Sequence, residues 1–145
     1  MLKVSLAAAA LAGALGLAGA AAAADATGLW ATETDHGKVE VGPCSPGSKL
    51  LCARIVDADA LHTNPDQRDI RNKDTTKRDR KIKGLITMAN FSGGPTDWKG
   101  GPVYDARDGS AAPTGYWKLV APDKLKVKGC LGPMLCRGET WTRLR

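Results

Sequence analysis

Two histidines, four cysteines, a run of cations and four tryptophans are the residues with chemistry to offer. His36 follows Asp35, and His62 lies between Asp59 and Asp66, so either histidine has a carboxylate that could orient it as a general base or join it as a metal ligand. Both fall in predicted turns or loops, where a histidine beside an acid is a common surface feature. Asp57-x-Asp59 lacks the later ligand and glycine positions of a calcium loop. With no Gly-x-Ser-x-Gly elbow, phosphate-binding glycine loop or dinucleotide fingerprint, the sequence nominates no catalytic residue, no metal site and no cofactor.

The cysteines, Cys44, Cys52, Cys130 and Cys136, point to disulfides. An even count in an exported chain reads that way, and neither spacing is the Cys-x-x-Cys of a zinc site. Four cysteines allow three pairings; the short separations favour Cys44 with Cys52 and Cys130 with Cys136, each closing a loop that contributes about 2 to 3 kcal/mol.

The cations concentrate between residues 68 and 83. Arg68, Arg71, Lys73, Lys77, Arg78, Arg80, Lys81 and Lys83 stand there against three acids, Asp69, Asp74 and Asp79. Such a run attracts phosphates, anionic lipid or polyanions. It contains no aromatic residue to stack on bases, and its acids interrupt the charge, so a solvated loop is favoured over a nucleic-acid site. The remainder of the chain after residue 24 balances to zero.

The elements that must position these residues begin after a leader. Lys3 is followed by an apolar stretch from Val4 to Ala24, ending in Ala22-Ala23-Ala24 before Asp25. That is the layout of a signal peptide over residues 1–24, which leaves no integral membrane segment after cleavage. The 121 residues from 25 to 145 suffice for one domain with one core. No 3.6-residue apolar period of useful length follows; short β-type runs are broken by Gly, Pro, Asn and Asp. The expected strands are Leu29 to Thr34, Lys38 to Val41, Leu50 to Val56, Leu85 to Phe91, Lys99 to Tyr104, Thr114 to Leu119, Leu125 to Cys130 and Thr140 to Leu144. Eight antiparallel strands suggest a small all-β barrel. Asp108-Gly109 and Pro122-Asp123 supply hairpin turns, and Gly100-Gly101 marks a bulge or sharp bend. The polar stretch Asp57 to Gly84 is long for a connection, and Asn64-Pro65-Asp66-Gln67 predicts a helical turn near Pro65 to Lys73, with Lys73 to Lys83 solvated.

Alternation sets Val39 with Val41, Trp117 with Leu119, and Leu125 with Val127 on single faces, which point inward in a closed barrel and line its lumen. Trp30, Trp98, Trp117 and Trp141 serve either as core or as an aromatic pocket wall. With few Phe, and Tyr104 and Tyr116 to help fill space, a gap near Trp117 would accept an apolar guest; the alternative is a core at ordinary density.

From Gly28-Leu29-Trp30-Ala31-Thr32 onward the chain resembles the secreted bacterial family named domain of unknown function 2147. Leu51-Cys52, Asn64-Pro65-Asp66, Trp98-Lys99-Gly100-Gly101-Pro102-Val103-Tyr104-Asp105 and Thr140-Trp141-Thr142-Arg143 continue the likeness in order. Cys130 departs from it, standing where the family usually has an aromatic residue, and so does Arg80-Lys81-Ile82-Lys83-Gly84, where Arg-Pro-Leu-x-Gly is usual. The resemblance implies a lipocalin-like barrel in the periplasm or secreted beyond it, with no established activity. By the same likeness Trp30 closes one barrel end beneath Arg143. The expected function is carriage of a small apolar or amphipathic ligand in the lumen; the alternative is an envelope interaction module working through the 68–83 loop. Nothing in the sequence sets an oligomeric state.

Overall fold

The computed structural model describes residues 25–145; the leader expected over residues 1–24 lies outside the described residues. The described strands are β1 Gly28–Ala31, β2 Lys38–Pro43, β3 Leu51–Asp57, β4 Ile86–Gly93, β5 Asp97–Gly100, β6 Val103–Asp105, β7 Ser110–Ala112, β8 Thr114–Ala121, β9 Lys124–Cys130 and β10 Cys136–Arg143. One short helix, α1 Asp59–Thr63, and a 3-10 turn at Thr75–Lys77 lie between β3 and β4.

Eight strands close an antiparallel barrel in the order β1-β2-β3-β4-β5-β8-β9-β10, with β10 returning to β1 so that Arg143 faces Trp30. The strand expected over Lys99 to Tyr104 is two strands. At Gly100 and Gly101 the chain turns so closely past its neighbours that a side chain would run into Asn90 and Pro113. β5 on one side of this bend pairs with β8, whereas β6 on the other pairs with β7. β7, which the sequence reading missed, carries the small residues Ser110-Ala111-Ala112 and has no apolar alternation to announce it. The β6–β7 hairpin turns through Gly109 at φ 75°.

The register defines two barrel ends. Gly28, Leu51, Gly93, Asp97, Lys124 and Arg143 lie toward one; Lys38, Asp57, Ile86, Thr114, Cys130 and Cys136 lie toward the other. The first is the Trp30 end. At the second, the loop end, stand the β3–β4 connection, the β6–β7 hairpin and the loop between β9 and β10.

The helical turn expected near Pro65 to Lys73 shrinks to a single hydrogen-bonded turn at Asn64 to Gln67. Helix α1 precedes it and ends at Asn64, whose N–H closes on the Ala60 carbonyl at 3.0 Å. The Asn64 side chain accepts from the Asp66 N–H at 3.2 Å, the contact expected of an N-cap, and the Gln67 N–H reaches the Asn64 carbonyl at 3.1 Å, but the chain then leaves for the isolated bridge between Arg68 and Lys81 and no helix follows. Nor is Lys73 to Lys83 solvated throughout: Ile82 is buried and packs with Leu61 and Leu85 in a small second core.

Candidate functional site

The barrel interior is filled. Val39, Val41, Trp117, Leu119, Leu125 and Val127 face inward and form one cluster with Trp30, Met88, Phe91, Trp98 and Trp141. Phe91, the one phenylalanine of the chain, lies flat on Trp117, with centroids 3.9 Å apart and planes 5° from parallel. Trp117 Nε1 donates to Met88 Sδ at 3.2 Å. The space expected beside Trp117 is therefore taken by these two side chains. Above them the β6–β7 hairpin enters the loop end, and Val103 rests against Gly115 and Gly129. A Cβ on Gly115 would stand 2.5 Å from Val103 Cγ2 and 2.6 Å from Phe91 Cζ, so glycine is what admits the plug. Tyr116 fills none of this interior because it points outward.

The Trp30 end is shut by a stack. Trp30 is fully buried and donates from Nε1 to the Ala26 carbonyl at 2.9 Å; the Arg143 guanidinium lies over its ring, 4.2 Å from the centroid. Arg143 also donates to the carbonyls of Pro122 at 2.8 Å, Thr27 at 2.6 Å and Asp25 at 2.5 Å, tying the segment before β1 to the last strand. The two disulfides join Cys44 to Cys52 and Cys130 to Cys136.

In the β3–β4 connection most cations are engaged locally. Arg68 donates to the Asp79 carbonyl at 2.5 Å, Arg78 to the Asn72 carbonyl at 2.8 Å and Arg71 to the Arg107 carbonyl. Lys81 meets Asp66 at 2.7 Å, Lys77 meets Asp74 at 3.9 Å, and Arg80 meets Asp69 at 2.9 Å. Lys73 and Lys83 are exposed. Asp69, only 1% exposed, is the hub: it accepts from Tyr104 Oη at 2.5 Å, Asn72 Nδ2 at 2.8 Å and Arg80. Burial alone would raise its pKa, but the hydrogen bonds from Asn72, Tyr104 and Arg80 outweigh that and hold it below the usual carboxylate value. Burial and the same carboxylate push the Tyr104 phenol well up.

The two histidines form surface latches. His36 Nδ1 lies 2.8 Å from Asp59, and His62 Nε2 2.9 Å from Asp57, which Lys38 also meets at 3.3 Å. The hydrogen bond to Asp59 raises the His36 pKa. These pairs tie helix α1 to the β1–β2 turn and the end of β3. Among the described residues no group of three or more His, Cys, Asp and Glu side chains is placed to hold a metal ion.

A second concentration of cations lies on the sheet. On the outer surface of β5, β8 and β9, Lys99 and Lys128 flank Tyr116 from neighbouring strands, and Lys118 faces Lys126 across the β8–β9 pair. The Lys99 and Lys128 ammonium groups stand 5.8 and 5.2 Å from the Tyr116 ring centroid. Lys124 completes the row and donates to Thr142 at 2.8 Å. Asp97, bonded to Thr96 and to Lys118 at 3.2 Å, is the one carboxylate these three strands contain. Like charges directly opposite one another destabilise a sheet, and Lys118 with Lys126 is such a pair. An open cleft of about 430 Å³ lies here, with Ser92, Trp98, Tyr116 and Trp117 in its floor and Asp97, Lys99, Lys118 and Lys128 around it. A second open cleft, of about 310 Å³, lies at the Trp30 end between Asp25, Lys49, Leu51 and Trp98.

A family model described as an uncharacterized protein conserved in bacteria, DUF2147, matches residues 28–143, nearly all of the described chain. The chain belongs to the DUF2147 family. Among solved structures, a Helicobacter pylori protein, HP1028, described as belonging to the lipocalin family, superposes with a TM-score of 0.68 at 18% identity, covering 82% of each chain. The barrel of this DUF2147 member is thus lipocalin-like. No curated protein matches the chain.

In this DUF2147 barrel the sequence places these lysines on the wet faces of their strands but does not single them out as a site. Lys118, Lys124, Lys126 and Lys128 all occupy the polar phase of alternating strands. Counting charge hid them: acids elsewhere balance these lysines in number but not in position. The two disulfides fit an extracytoplasmic bacterial protein. Among the described residues no helix is long and apolar enough to cross a membrane.

Proposed function

We propose that this DUF2147 protein is a periplasmic or secreted binding module, a single domain over residues 25–145, that takes an anionic headgroup joined to an apolar body at the cleft over Tyr116. The observation that carries this reading is the gathering of Lys99, Lys118 and Lys128 with one carboxylate, Asp97, around the exposed Tyr116 ring, with Lys126 and Lys124 following along the same face. Lys99 and Lys128 supply charge on both sides of the Tyr116 ring, and the ring supplies an apolar surface between them. The filled interior supports an outer site over a lumenal one. The connection between β3 and β4 is a weaker candidate for an anion, because its own carboxylates and carbonyls, and for Arg71 the Arg107 carbonyl, already engage its guanidinium groups.

Calorimetric titration with dodecyl phosphate, below its micellar concentration, tests the proposal. Binding should weaken with salt, should fall with Lys99→Gln and Lys128→Gln, and should be absent for dodecyl maltoside. Dodecyl phosphate that fails to bind, or that binds the two lysine variants as tightly as the wild type, overturns it. Binding that ignores the lysines but perturbs the near-ultraviolet dichroism of the Phe91–Trp117 stack would return the ligand to the lumen and restore the carrier reading.

A further inference from the structure

The four most exposed large apolar side chains of the described residues are Met134 at 94%, Ile70 and Leu135 at 65%, and Leu131 at 58%. All four lie at the loop end of the barrel. Leu131, Met134 and Leu135 occupy the five-residue loop between β9 and β10, whose ends are held together by the Cys130–Cys136 disulfide and by the hydrogen bond from Leu131 N–H to the Leu135 carbonyl at 2.8 Å. The loop so tied presents these apolar side chains to solvent. Ile70 stands on the β3–β4 connection, next to Arg71, which bonds Arg107 in the turn of the β6–β7 hairpin; Arg137 at the start of β10 bonds Asp108 and Ser110 on the other side of that turn. The three loops therefore form one braced end.

The lysine face leads directly to this end. Lys128 lies three residues before Leu131, about 10 Å along an extended strand, and Lys99 stands one strand further beyond Tyr116. A bilayer interface asks for this pairing, because a few apolar side chains or a few cations alone give only marginal, reversible attachment, whereas both together give stable attachment. We infer that the loop end is a membrane-docking surface: Leu131, Met134 and Leu135 enter the headgroup layer of an anionic bilayer while Lys128 and Lys99 meet its phosphates. The apolar half stands by itself; the electrostatic half rests on the reading of the lysine face given above.

Co-sedimentation of the mature chain with vesicles tests this. Binding is expected to phosphatidylcholine vesicles containing phosphatidylglycerol and not to phosphatidylcholine alone. The triple variant Leu131→Ser, Met134→Ser, Leu135→Ser should bind at least about ten-fold more weakly, and Lys99→Gln and Lys128→Gln about five-fold more weakly each. The triple variant changes only exposed side chains and keeps the disulfide, and an unchanged melting temperature would show that it folds. As an independent readout, Leu135→Trp adds an exposed indole to a protein whose own four are buried; its emission should shift to the blue and lose acrylamide quenching when anionic vesicles are added. Equal vesicle binding by the triple variant, or an unshifted emission, overturns insertion. So does a dimer in sedimentation velocity that the triple variant dissociates and that ignores vesicles, since a second copy would then cover this end. If dodecyl phosphate ignores Tyr116 and its lysines while vesicle binding still depends on Leu131, Met134 and Leu135, the cleft reading fails and the docking end stands. If dodecyl phosphate binds at the cleft and vesicles do not bind, the docking end fails and the cleft stands.

Discussion

The β3–β4 connection holds eight lysines and arginines between residues 68 and 83, and the outer face of β5, β8 and β9 holds five lysines. The connection has no strand ladder of its own beyond an isolated bridge between Arg68 and Lys81, so carbonyls such as those of Asn72 and Asp79 are left to accept from guanidinium groups, and its cations become its scaffold. In the sheet the carbonyls are already used by neighbouring strands; Lys118 meets Asp97 and Lys124 meets Thr142, while the ammonium groups of Lys99 and Lys128 are left to the Tyr116 ring and the solvent. A cation count thus says little about an anion site until the acceptors around each cation are known.

The largest effect that would break this contrast is at Asp69. Asp69→Ala leaves Tyr104, Asn72 and Arg80 without their acceptor in a buried position and should cost about 3 kcal/mol in urea unfolding. Acid offers the same test without mutation. Because the folded pKa of Asp69 is lowered, its contribution is fully present above the unfolded carboxylate value of about 3.9 and is lost as pH falls through the folded value. Stability should therefore decline from about pH 4 downward, and Asp69→Asn should flatten that decline. A melting profile no flatter in the variant would remove the hub.

Next in size is the Trp30 end, where charge is again scaffold. Arg143→Ala removes the guanidinium over Trp30 and three carbonyl contacts, and should cost about 2 kcal/mol by the same unfolding measurement. Arg143→Lys should recover less than half, since an ammonium cannot lie flat on the ring and reach all three carbonyls. Reducing the Cys130–Cys136 disulfide should cost about 2 kcal/mol, read as a lower midpoint in denaturant with the Cys44–Cys52 pair intact.

Smallest in stability is the lysine face. Lys118→Gln or Lys126→Gln should leave unfolding unchanged within about 0.5 kcal/mol, or raise stability slightly by relieving their mutual repulsion. Arg80→Ala, within the connection, should instead destabilise by about 1 kcal/mol while leaving dodecyl phosphate binding alone. If the costs were reversed, with the sheet lysines structural and the connection dispensable, the division of labour described here would be wrong.

Much of the barrel was legible because β-alternation is local. Trp117, Leu119, Leu125 and Val127 sit in one phase of their strands and Lys118, Lys124, Lys126 and Lys128 in the other, and that pattern alone assigns inside and outside. Trp30 and Arg143 were paired through the lipocalin likeness, although 113 positions of sequence separate them. The short spacings likewise favoured the two disulfide partnerships the structure contains.

What only the tertiary structure decided depends on distances between elements. Whether the lumen is hollow turns on Phe91 reaching Trp117 and on Val103 entering over Gly115, contacts between strands far apart in the chain. Which cations are engaged turns on acceptors supplied from elsewhere, as Arg107 supplies Arg71 and Tyr104 joins Arg80 on Asp69. Residue type and spacing determine which face of a strand a side chain takes, because pleating has a period of two. They do not determine what stands across from that face, because closing a barrel brings together residues whose separation carries no period at all.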